Sequence, residues 1–384
     1  MDALILSCGT GGGHDSAGKA VLEEMKRRGH HATMMNPYTL KSEKLSGSID
    51  HTYISTVQHA PDAFGAIYKI GDMYRHLPFR SPVYFVNRAM DAVMKEYLEA
   101  YPADIVLMPH LFPAEIMTNM KLHGMKTPKT VFIATDYVCI PFTEETECDA
   151  YVIPSADLIG DFTGKGLPKE KLYPLGIPTG SRFAAVESRT QAKRHLGLDE
   201  EKNYILVAGG SMGGGKIEQT IDALNKHFSQ RKDIELIVIC GSNQTLYERL
   251  QEYAGQGLVA VDHTDEMEAY MRASRLFITK PGGLSSTEAA VRNIPIIHTA
   301  VIPGCESYNA RYFSGHGMSV WAQTTDEMLR LADDILEKEE KRDNMTACQR
   351  KWINPHAAAD ICDLAEQLVA EQGCKQKWQR DVLV

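Results

Sequence analysis

The chain has 384 residues, of which 43% are hydrophobic and 24% are charged, a composition typical of a globular protein with two domains. Its 41 basic and 50 acidic residues give a net charge of −9, which argues against a nucleic-acid-binding protein. No apolar run approaches the roughly 20 residues that cross a bilayer. The eight cysteines form no C-x-x-C pair, so we expect reduced thiols in a cytoplasmic protein and no zinc site.

The first half of the chain alternates strands and helices. A strand at 3–8 runs into glycines and an amphipathic helix at 16–28, and a short strand follows at 32–35. The runs at 104–108 and 130–135 are apolar throughout, which is typical of strands covered on both faces. Two more strands are predicted at 151–154 and 172–176.

Residues 50–100 interrupt this alternation with aromatic and basic side chains between proline breaks. The aromatic residues are Tyr53, Phe64, Tyr68, Tyr74, Phe79, Tyr84, Phe85 and Tyr97, and the basic ones are Arg75, Arg80, Arg88 and Lys95. Ordinary helix packing explains most of these aromatics. The alternative is an apolar surface that touches a membrane or a lipid substrate.

A polar, charged stretch divides the chain into two domains. We predict a first domain at 1–180, a linker at 181–202 and a second domain at 203–384, and we leave open that the last helix returns to the first domain. The second domain has predicted strands at 204–208, 235–240, 258–261, 276–279 and 295–299. Because each half opens with a strand, a Gly-rich loop and a helix, we expect an α/β protein of two Rossmann-like domains facing across a cleft.

The most informative segment is ITKPGGLSSTEAA, residues 278–290. An apolar strand leads into the turn Pro281-Gly282-Gly283 and then into a helix predicted to begin at Ser285, with Glu288 in its first turn. The start of such a helix binds an anion through free N–H groups, and a nearby carboxylate can accept hydrogen bonds from ribose hydroxyls. A capping box on an ordinary β-loop-α unit is the alternative.

A second segment favours the nucleotide interpretation. YILVAGGSMGGGK, residues 204–216, is another strand that ends in a Gly-rich loop, which contains Gly210, Ser211 and Gly213. Two phosphate-type loops in one β/α series can face one ligand if their strands lie at the switch point of a parallel sheet.

The N-terminal loop GTGGGHD, residues 9–15, fits neither common nucleotide motif. His14 stands where a dinucleotide fingerprint needs its third glycine, and Ala20 stands where a P-loop needs its hydroxyl. His14 nevertheless follows the first strand, where α/β sheets place their ligands, and can serve as a general base. Asp136 follows the apolar strand at 130–135 and is the second candidate, with turn capping as its structural alternative.

Taken together, these motifs resemble a known family. The ordered set GTGGGHDSAGKAV, TDYVC, Gly176-Ile177-Pro178, GGSMGGGK and TKPGGLSSTEA…PGCESYN resembles the diacylglycerol glycosyltransferases of glycosyltransferase family 28. These are the monogalactosyldiacylglycerol synthases and the processive diacylglycerol glucosyltransferases. The resemblance implies a GT-B fold, a UDP-sugar donor in the C-terminal domain and a lipid acceptor, diacylglycerol above all, at the N-terminal domain. It also implies inversion at the anomeric carbon and peripheral attachment to the inner face of the cell membrane.

Motifs and resemblance together predict the site. His14 is the preferred base, with Asp136 as orienting group or alternative base. The predicted donor-binding residues are Gly12, Gly13, Gly210, Ser211, Gly213, His263, Thr264, Lys280, Pro281, Gly282, Gly283, Ser285, Glu288, Glu306 and Asn309. No D-x-D pair exists in the sequence, so we expect neither a metal nor another cofactor.

Two departures from the family pattern concern specificity. Relatives usually carry Gln where this chain has Cys305, and a thiol is a poor hydrogen-bond partner for a hexose. Relatives often carry His and Trp near the acceptor, where this chain has Pro141 and Phe142. A GT-B transferase with another lipid-linked or soluble acceptor, and a non-catalytic UDP-sugar-binding protein, remain the alternatives.

Overall fold

A computed structural model of the chain describes residues 1–9, 12–42, 71, 80–209, 217–253, 255, 257–299, 301 and 304–382. The chain divides into two compact units. The described residues up to Ser181 and those from His356 onwards form the first unit, and the second unit contains Arg182–Pro355. Within the described ranges, no helix has the length and apolarity needed to span a bilayer.

The first unit is built on a parallel six-stranded sheet with the order β2-β1-β3-β4-β5-β6. Its strands are β1 (Asp2–Leu6), β2 (His31–Met35), β3 (Ile105–Met108), β4 (Lys129–Ile133), β5 (Ala150–Val152) and β6 (Leu172–Tyr173). The helices described here are α1 (Gly12–Arg27), α2 (Pro82–Arg88), α3 (Asp91–Ala100), α4 (Leu111–Leu122) and α5 (Ile159–Gly164). Every residue of β3 is buried, as its continuous apolar sequence predicted.

The second unit has a parallel sheet with the order β12-β11-β10-β7-β8-β9. Its strands are β7 (Asn203–Ala208), β8 (Ile234–Ile239), β9 (Leu258–Val261), β10 (Leu276–Thr279), β11 (Ile296–His298) and β12 (Val320–Trp321). The helices are α6 (Ser181–Ala184), α7 (Arg189–His195), α8 (Ile217–Phe228), α9 (Gln244–Gln251), α10 (Met267–Ala273), α11 (Gly283–Val291), α12 (Cys305–Gly315), α13 (Thr325–Glu337) and α14 (Glu339–Trp352).

The stretch predicted as a linker, 181–202, contains α6 and α7 and is almost wholly part of the second unit. A buried arginine holds this stretch against the second unit. The guanidinium of Arg292, at the end of α11, donates to the backbone carbonyls of Phe183 and Ala185 and to the carboxylate of Glu187. Only 1% of the Arg292 side chain is exposed, so the charge is satisfied by this segment rather than by water.

The final helix, α15 (Ala357–Val382), belongs to the first unit. Ile361 and Ala365 are fully buried in the same apolar cluster as Ile5 of β1. Arg28, which follows α1, forms ion pairs with Asp363 and with Glu366 of α15. The helix therefore covers one face of the first sheet.

Helix α1 packs unusually close to the first sheet at Gly18. A Cβ added there would lie 2.9 Å from Met34 Cε and 3.2 Å from Ile5 Cγ2. A side chain at this position would have to displace the end of the Met34 side chain and would press on Ile5. Gly18 thus has a packing role in this fold.

Candidate active site

Both sheets have a topological switch point at the carboxyl ends of two neighbouring strands. In the first sheet β1 has β2 on one side and β3 on the other, and in the second sheet β7 has β8 on one side and β10 on the other. The loops that leave such a strand pair diverge, which opens a crevice where α/β proteins bind ligands. Most of the predicted site residues lie at these two crevices.

His14 is held at the switch point of the first sheet. Its Nδ1 lies 2.8 Å from the carbonyl oxygen of Pro109, which follows β3, and 3.0 Å from Thr135 Oγ1, which follows β4. A carbonyl oxygen can only accept, so Nδ1 carries the proton and donates it. The lone pair of a neutral His14 is then on Nε2, which is the atom that could accept a proton from a substrate hydroxyl.

Asp136 lines the same pocket as His14. The other lining residues are Pro109, Leu111, Phe132, Ala134, Thr135, Val138, Ile140 and Phe162, and the space they enclose is about 260 Å³ including its solvent-open part. Asp136 is partly exposed there. The described contacts that orient the imidazole of His14 come from Pro109 and Thr135, and Asp136 lines the pocket next to the ring.

A second histidine stacks against the first and was not predicted. The ring of His110 lies 4.5 Å from that of His14, edge to face, and its Nδ1 accepts the N–H of Phe112 at the start of α4. Burial, with a smaller contribution from the charge of His14, lowers the pKa of His110 well below its usual value. His110 is therefore a neutral ring that packs against His14. Its position two residues after β3 was the signal available in the sequence.

The loop beyond Asp136 contains a strained residue. Phe142 has a φ of 71°, in the left-handed region that side chains rarely adopt. A Cβ added at Gly71 would lie 3.0 Å from Pro141 Cβ and 3.2 Å from Phe142 Cζ, so this glycine is packed tightly against the pair. The segment that contains Pro141 and Phe142 is thus held in a specific conformation.

In the second unit, α11 begins earlier than predicted. It starts at Gly283 rather than at Ser285, so Glu288 lies in the second turn and the predicted first-turn position was wrong. No side chain of the described residues caps the helix, and a Cβ added at the N-cap residue Gly282 would meet none of their atoms within 4 Å. Among the described residues, the first backbone N–H groups of this helix therefore have no capping side chain, as an anion site requires.

Glu288 offers an unused carboxyl group beside this helix start. Glu288 is partly exposed, and its carboxyl group makes no hydrogen bond or ion pair with any residue that the structure describes. Burial, opposed by Arg182 and assisted by Glu268, raises its pKa to about 8. A carboxyl that is partly desolvated and unpaired is suited to a polar ligand, which would supply the missing hydrogen bonds.

Two polar contacts join this segment to α12. Lys280 Nζ, just after β10, lies 2.7 Å from Glu306 Oε1, and Asn309 Nδ2 donates to the carbonyl of Pro281 at 3.0 Å. Helix α12 is preceded by Gly304, whose φ of 121° is accessible to glycine alone. The structure therefore brings Lys280, Pro281, Glu306 and Asn309 together.

The two Gly-rich loops of the second unit leave adjacent strands. Thr279 Oγ1 at the end of β10 donates to the carbonyl of Ala208 at the end of β7, 2.9 Å away. The predicted residues Gly210, Ser211 and Gly213 follow Ala208 and lie outside the described residues.

Other residues that were predicted to bind the donor lie away from the switch point of the second sheet. His263 is exposed just beyond β9, and Thr264 accepts the N–H of Glu266 there. Because β9 is the edge strand, these residues share the carboxyl edge of the sheet but not its switch point. Gly12 and Gly13 begin α1 and therefore belong to the first unit.

A buried histidine fixes α11 on the sheet and was also missed by the sequence analysis. His298 of β11 has Ser286 Oγ 3.0 Å from its Nε2 and Ser319 Oγ 3.1 Å from its Nδ1. Burial lowers the pKa of His298 to about 3, so the ring is neutral. This bridge holds the helix that carries Ser285 and Glu288.

Comparison with known proteins agrees with this architecture. A model of the monogalactosyldiacylglycerol (MGDG) synthase family matches residues 14–179, and a model of the glycosyltransferase family 28 C-terminal domain matches residues 204–365. A processive diacylglycerol beta-glucosyltransferase of Bacillus pumilus is 23% identical over 371 residues, 95% of this chain and 94% of the relative. One of Staphylococcus carnosus is 27% identical over 263 residues, 67% of this chain and 64% of the relative.

Solved structures share the fold at low sequence identity. The glycotransferase of kitacinnamycin has a TM-score of 0.65 at 12% identity, with 96% of this chain and 99% of that chain covered. MurG of Acinetobacter baumannii has a TM-score of 0.61 at 15%, with 95% and 99% covered. UDP-GlcNAc 2-epimerase from Neisseria meningitidis, bound to UDP-GlcNAc, has a TM-score of 0.61 at 10%, with 94% and 99% covered.

The fold defines this chain as a GT-B protein with two Rossmann-like units, as the alternation of strands and helices predicted. The two matched domains, in this order, then identify the particular family. The chain belongs to the monogalactosyldiacylglycerol synthase and processive diacylglycerol glucosyltransferase family within glycosyltransferase family 28, which confirms the resemblance.

Proposed function

We propose that this protein is an inverting glycosyltransferase that moves a hexose from a UDP-sugar to diacylglycerol and so makes a glycolipid. The observation that carries the proposal is the uncapped start of α11 beside the unpaired carboxyl of Glu288. A nucleoside diphosphate has the complementary groups, because its phosphates accept from backbone N–H groups and its ribose hydroxyls donate to a carboxylate. The family relatives named as diacylglycerol beta-glucosyltransferases support the same substrates.

The second unit would hold the donor. The N–H groups at the start of α11 and the ammonium group of Lys280 provide positive charge for the diphosphate. Glu306 and Asn309 of α12 contact Lys280 and Pro281, and we assign them to the hexose hydroxyls, for which they would exchange part of their present contacts. Cys305 stands beside them in place of a carboxamide, so the donor hexose has one hydrogen-bond partner fewer than in relatives with Gln.

The first unit would supply the base. The acceptor hydroxyl gives its proton to His14 Nε2, and its oxygen forms a bond to the anomeric carbon of the hexose. The bond between that carbon and the phosphate oxygen breaks, and its electron pair leaves with UDP. Displacement from the opposite face inverts the anomeric configuration. The mostly apolar lining of the pocket around His14 and Asp136 favours a lipid over a sugar acceptor.

We also propose that the reaction needs no metal. The positive groups already named can stabilise the charge that develops on leaving UDP, as oxyanion sites do elsewhere. Lys280 is only 21% exposed in its side chain, so its charge acts in a partly desolvated environment where electrostatic effects are stronger than in water.

Access to diacylglycerol requires contact with a membrane surface, and α2 is the described segment best suited to it. Phe85 is 57% exposed and Val86 is 64% exposed on this helix, next to the exposed Arg88. Tyr84 instead is buried under the guanidinium of Arg80, 4.5 Å from its ring centroid. Exposed apolar side chains beside a cation suit an anionic bilayer. Tyr53, Phe64, Tyr68, Tyr74, Arg75 and Phe79 lie outside the described residues.

A donor screen tests the function. UDP-glucose, UDP-galactose and UDP-GlcNAc would each be incubated with the protein and diacylglycerol vesicles, and the lipids would be analysed by mass spectrometry. We expect a hexosyl-diacylglycerol and UDP with at least one donor. Release of UDP without a glycolipid would indicate another acceptor. Binding of UDP without any turnover would contradict the enzyme assignment and support a sugar-binding protein.

Vesicle co-sedimentation tests membrane attachment. Binding should increase with the anionic lipid fraction and decrease with salt, because charge contributes to it. The double variant Phe85→Ser, Val86→Ser should bind severalfold less. Leu122→Ser removes another exposed apolar residue of the same unit, 42% exposed, and serves as the matched control. Equal loss in both variants would exclude α2 as the membrane-contacting segment.

A further inference from the structure

Five basic side chains come together at the amino-terminal edge of the second sheet, away from the crevice already described. We call them the basic cluster: Arg189, Lys193, Arg272, Arg275 and Arg342. Arg189 and Lys193 lie one turn apart on α7, Arg272 is near the end of α10, Arg275 precedes β10 and Arg342 is on α14.

Tyr204 of β7 contacts two residues of the basic cluster, Lys193 and Arg275. Lys193 Nζ lies 5.6 Å from the ring centroid of Tyr204, and the backbone N–H of Arg275 donates to the Tyr204 carbonyl at 2.8 Å. Lys193 is further fixed by the carbonyl oxygens of Glu200 and Lys202. The start of β7 therefore joins α7 to the arginine that precedes β10.

Three of the four arginines in the basic cluster have no side-chain partner among the described residues; the fourth, Arg342, donates to the carbonyls of Ile335 and Leu336. The side chains of Arg189, Arg272 and Arg275 make no hydrogen bond or ion pair within the described residues. The Nε atoms of Arg272 and Arg275 are buried as well as unpartnered. A buried guanidinium N–H without an acceptor costs roughly 1–3 kcal/mol, so these donors favour an acceptor from water or from a bound ligand.

The neighbouring charges also favour a bound anion. Burial and then the positive charges of Arg275, Arg272 and Arg342 lower the pKa of Arg189, and no carboxylate opposes them. Carboxylates do act elsewhere in the basic cluster: Glu187 acts on Arg272, Asp199 and Glu201 act on Lys193, and Glu339 and Asp343 act on Arg342. The uncompensated positive charge is therefore centred between Arg189 and Arg275.

The basic cluster reaches solvent at Arg189 and is separate from the proposed donor site. Arg189 is an exposed residue, although its charged end approaches the other arginines, so a ligand can reach it directly. Arg275 and Lys280 lie at opposite ends of β10, which places them roughly 16 Å apart at about 3.3 Å per residue. One phosphate group cannot bridge that distance.

We propose that the basic cluster is a second anion site, which binds a phosphate-class oxyanion between Arg189 and Arg275, with Arg272 at its wall. Guanidinium groups bind such anions through paired N–H donors, and the unpartnered Nε atoms of Arg272 and Arg275 are donors of this kind. The anion can be free phosphate or the phosphomonoester headgroup of a lipid. The proposal uses neither the donor nor the acceptor and is independent of the proposed function.

Isothermal titration with inorganic phosphate at constant ionic strength tests the site. Arg275→Gln should weaken phosphate binding at the basic cluster roughly tenfold, the loss expected for one charge-assisted contact. Arg189→Gln changes an exposed residue and should have the same effect without risk to folding. Arg330→Gln removes an exposed arginine of the same unit outside the basic cluster and is the control for net charge. Phosphate binding at α11 is common to all these proteins, so their difference measures the basic cluster alone.

Vesicles distinguish the two sources of the anion. Phosphatidylcholine vesicles with and without phosphatidate would be sedimented with the wild type, Arg275→Gln and Arg330→Gln. A loss of phosphatidate-dependent binding specific to Arg275→Gln would identify a lipid headgroup, and a loss in the phosphate titration alone would identify a free anion. If both cluster variants match the wild type and Arg330→Gln in both experiments, the proposal is wrong.

Discussion

Lys280 and Glu306 neutralise each other across 2.7 Å, and this ion pair joins the two segments from which the donor site would be assembled. Their side chains are only 21% and 10% exposed, so neither charge is well hydrated. A donor that binds here must offer an anion to Lys280 and hydroxyl groups to Glu306 to replace the pairing. A UDP-hexose carries both, on adjacent parts of the molecule.

Separate substitutions should distinguish the binding of the diphosphate by Lys280 from the binding of the hexose by Glu306. Lys280→Met should lower affinity for UDP at least tenfold, because it removes the cation next to the diphosphate. Glu306→Gln should leave UDP affinity within about threefold and weaken the UDP-hexose complex, since only the hexose would touch it. Calorimetry with UDP and with UDP-hexose would measure both. If Glu306→Gln weakens UDP as strongly as Lys280→Met does, the two roles are not separate.

Glu288 predicts a pH dependence of UDP binding. Burial raises its pKa to about 8, and the ionised carboxylate is the better acceptor for ribose hydroxyls. Affinity for UDP should therefore rise between pH 7 and 9, a range in which phosphate groups are already ionised. Glu288→Gln should bind UDP about tenfold more weakly and without that rise. Glu252→Gln, at an exposed site in the same unit, should behave as the wild type does. A flat wild-type profile would count against the assignment.

His14→Ala should lower kcat by about 10²–10⁴ and leave UDP affinity nearly unchanged, because the base acts on the acceptor. Asp136→Asn should cause similar damage if the two residues act as a unit, and the double variant should then be little worse than either. Thr135→Val removes one Nδ1 contact but not that of Pro109, so its effect should be smaller. Near-normal kcat for His14→Ala would transfer the role to Asp136, provided that Asp136→Asn is inactive.

A buried glutamate of the first unit should make stability depend on pH. Glu115 is fully buried, Asn87 donates to it at 2.5 Å, and Tyr38 donates to Asn87. Burial raises the pKa of Glu115 from 4.5 to about 8. The folded state thus keeps a proton that the unfolded state loses, and stability should fall by up to about 1.4 kcal/mol per pH unit across that window. Denaturant unfolding of Glu115→Gln should lack this component. If the unfolding free energies of the wild type and the variant change in parallel with pH, this contribution of Glu115 is contradicted.

Turnover should survive chelation. Because the helix start and Lys280 are proposed to stabilise leaving UDP, dialysis against EDTA should change kcat by less than about twofold, whereas loss of a true electrostatic group costs far more. The assay would compare treated enzyme with and without added Mn²⁺ or Mg²⁺. Activity that disappears with EDTA and returns with Mn²⁺ would show that the phosphate site has been misinterpreted.

Structural features that depend on residues close together in the sequence could be predicted from it. The β-loop-α segments around His14 and Glu288 were predictable because apolar strands and glycine turns are local signals. The start of α11 was misplaced by two residues because Gly283 and Leu284 carry no helix-start signal of their own. The two-residue strand β12 is too short to leave a pattern.

Contacts between distant residues could not be predicted. Nothing in the sequence near Arg292 indicates that its guanidinium binds carbonyl groups more than 100 positions earlier. The stacking of His110 on His14 and the bond from Asn309 to Pro281 depend in the same way on the assembled sheet. Such partners are determined by the tertiary structure, and local sequence patterns do not predict them.

The return of α15 to the first unit has a consequence for synthesis. Ile361, Cys362 and Ala365 complete an apolar cluster with Ile5 and Leu107, yet they emerge from the ribosome only after the whole second unit. Domains that are continuous in sequence can fold in the order in which they are made. Here the second unit can be finished first, while the nascent first unit exposes the sheet face that awaits its last helix. During that interval the exposed apolar face makes the nascent chain prone to aggregation.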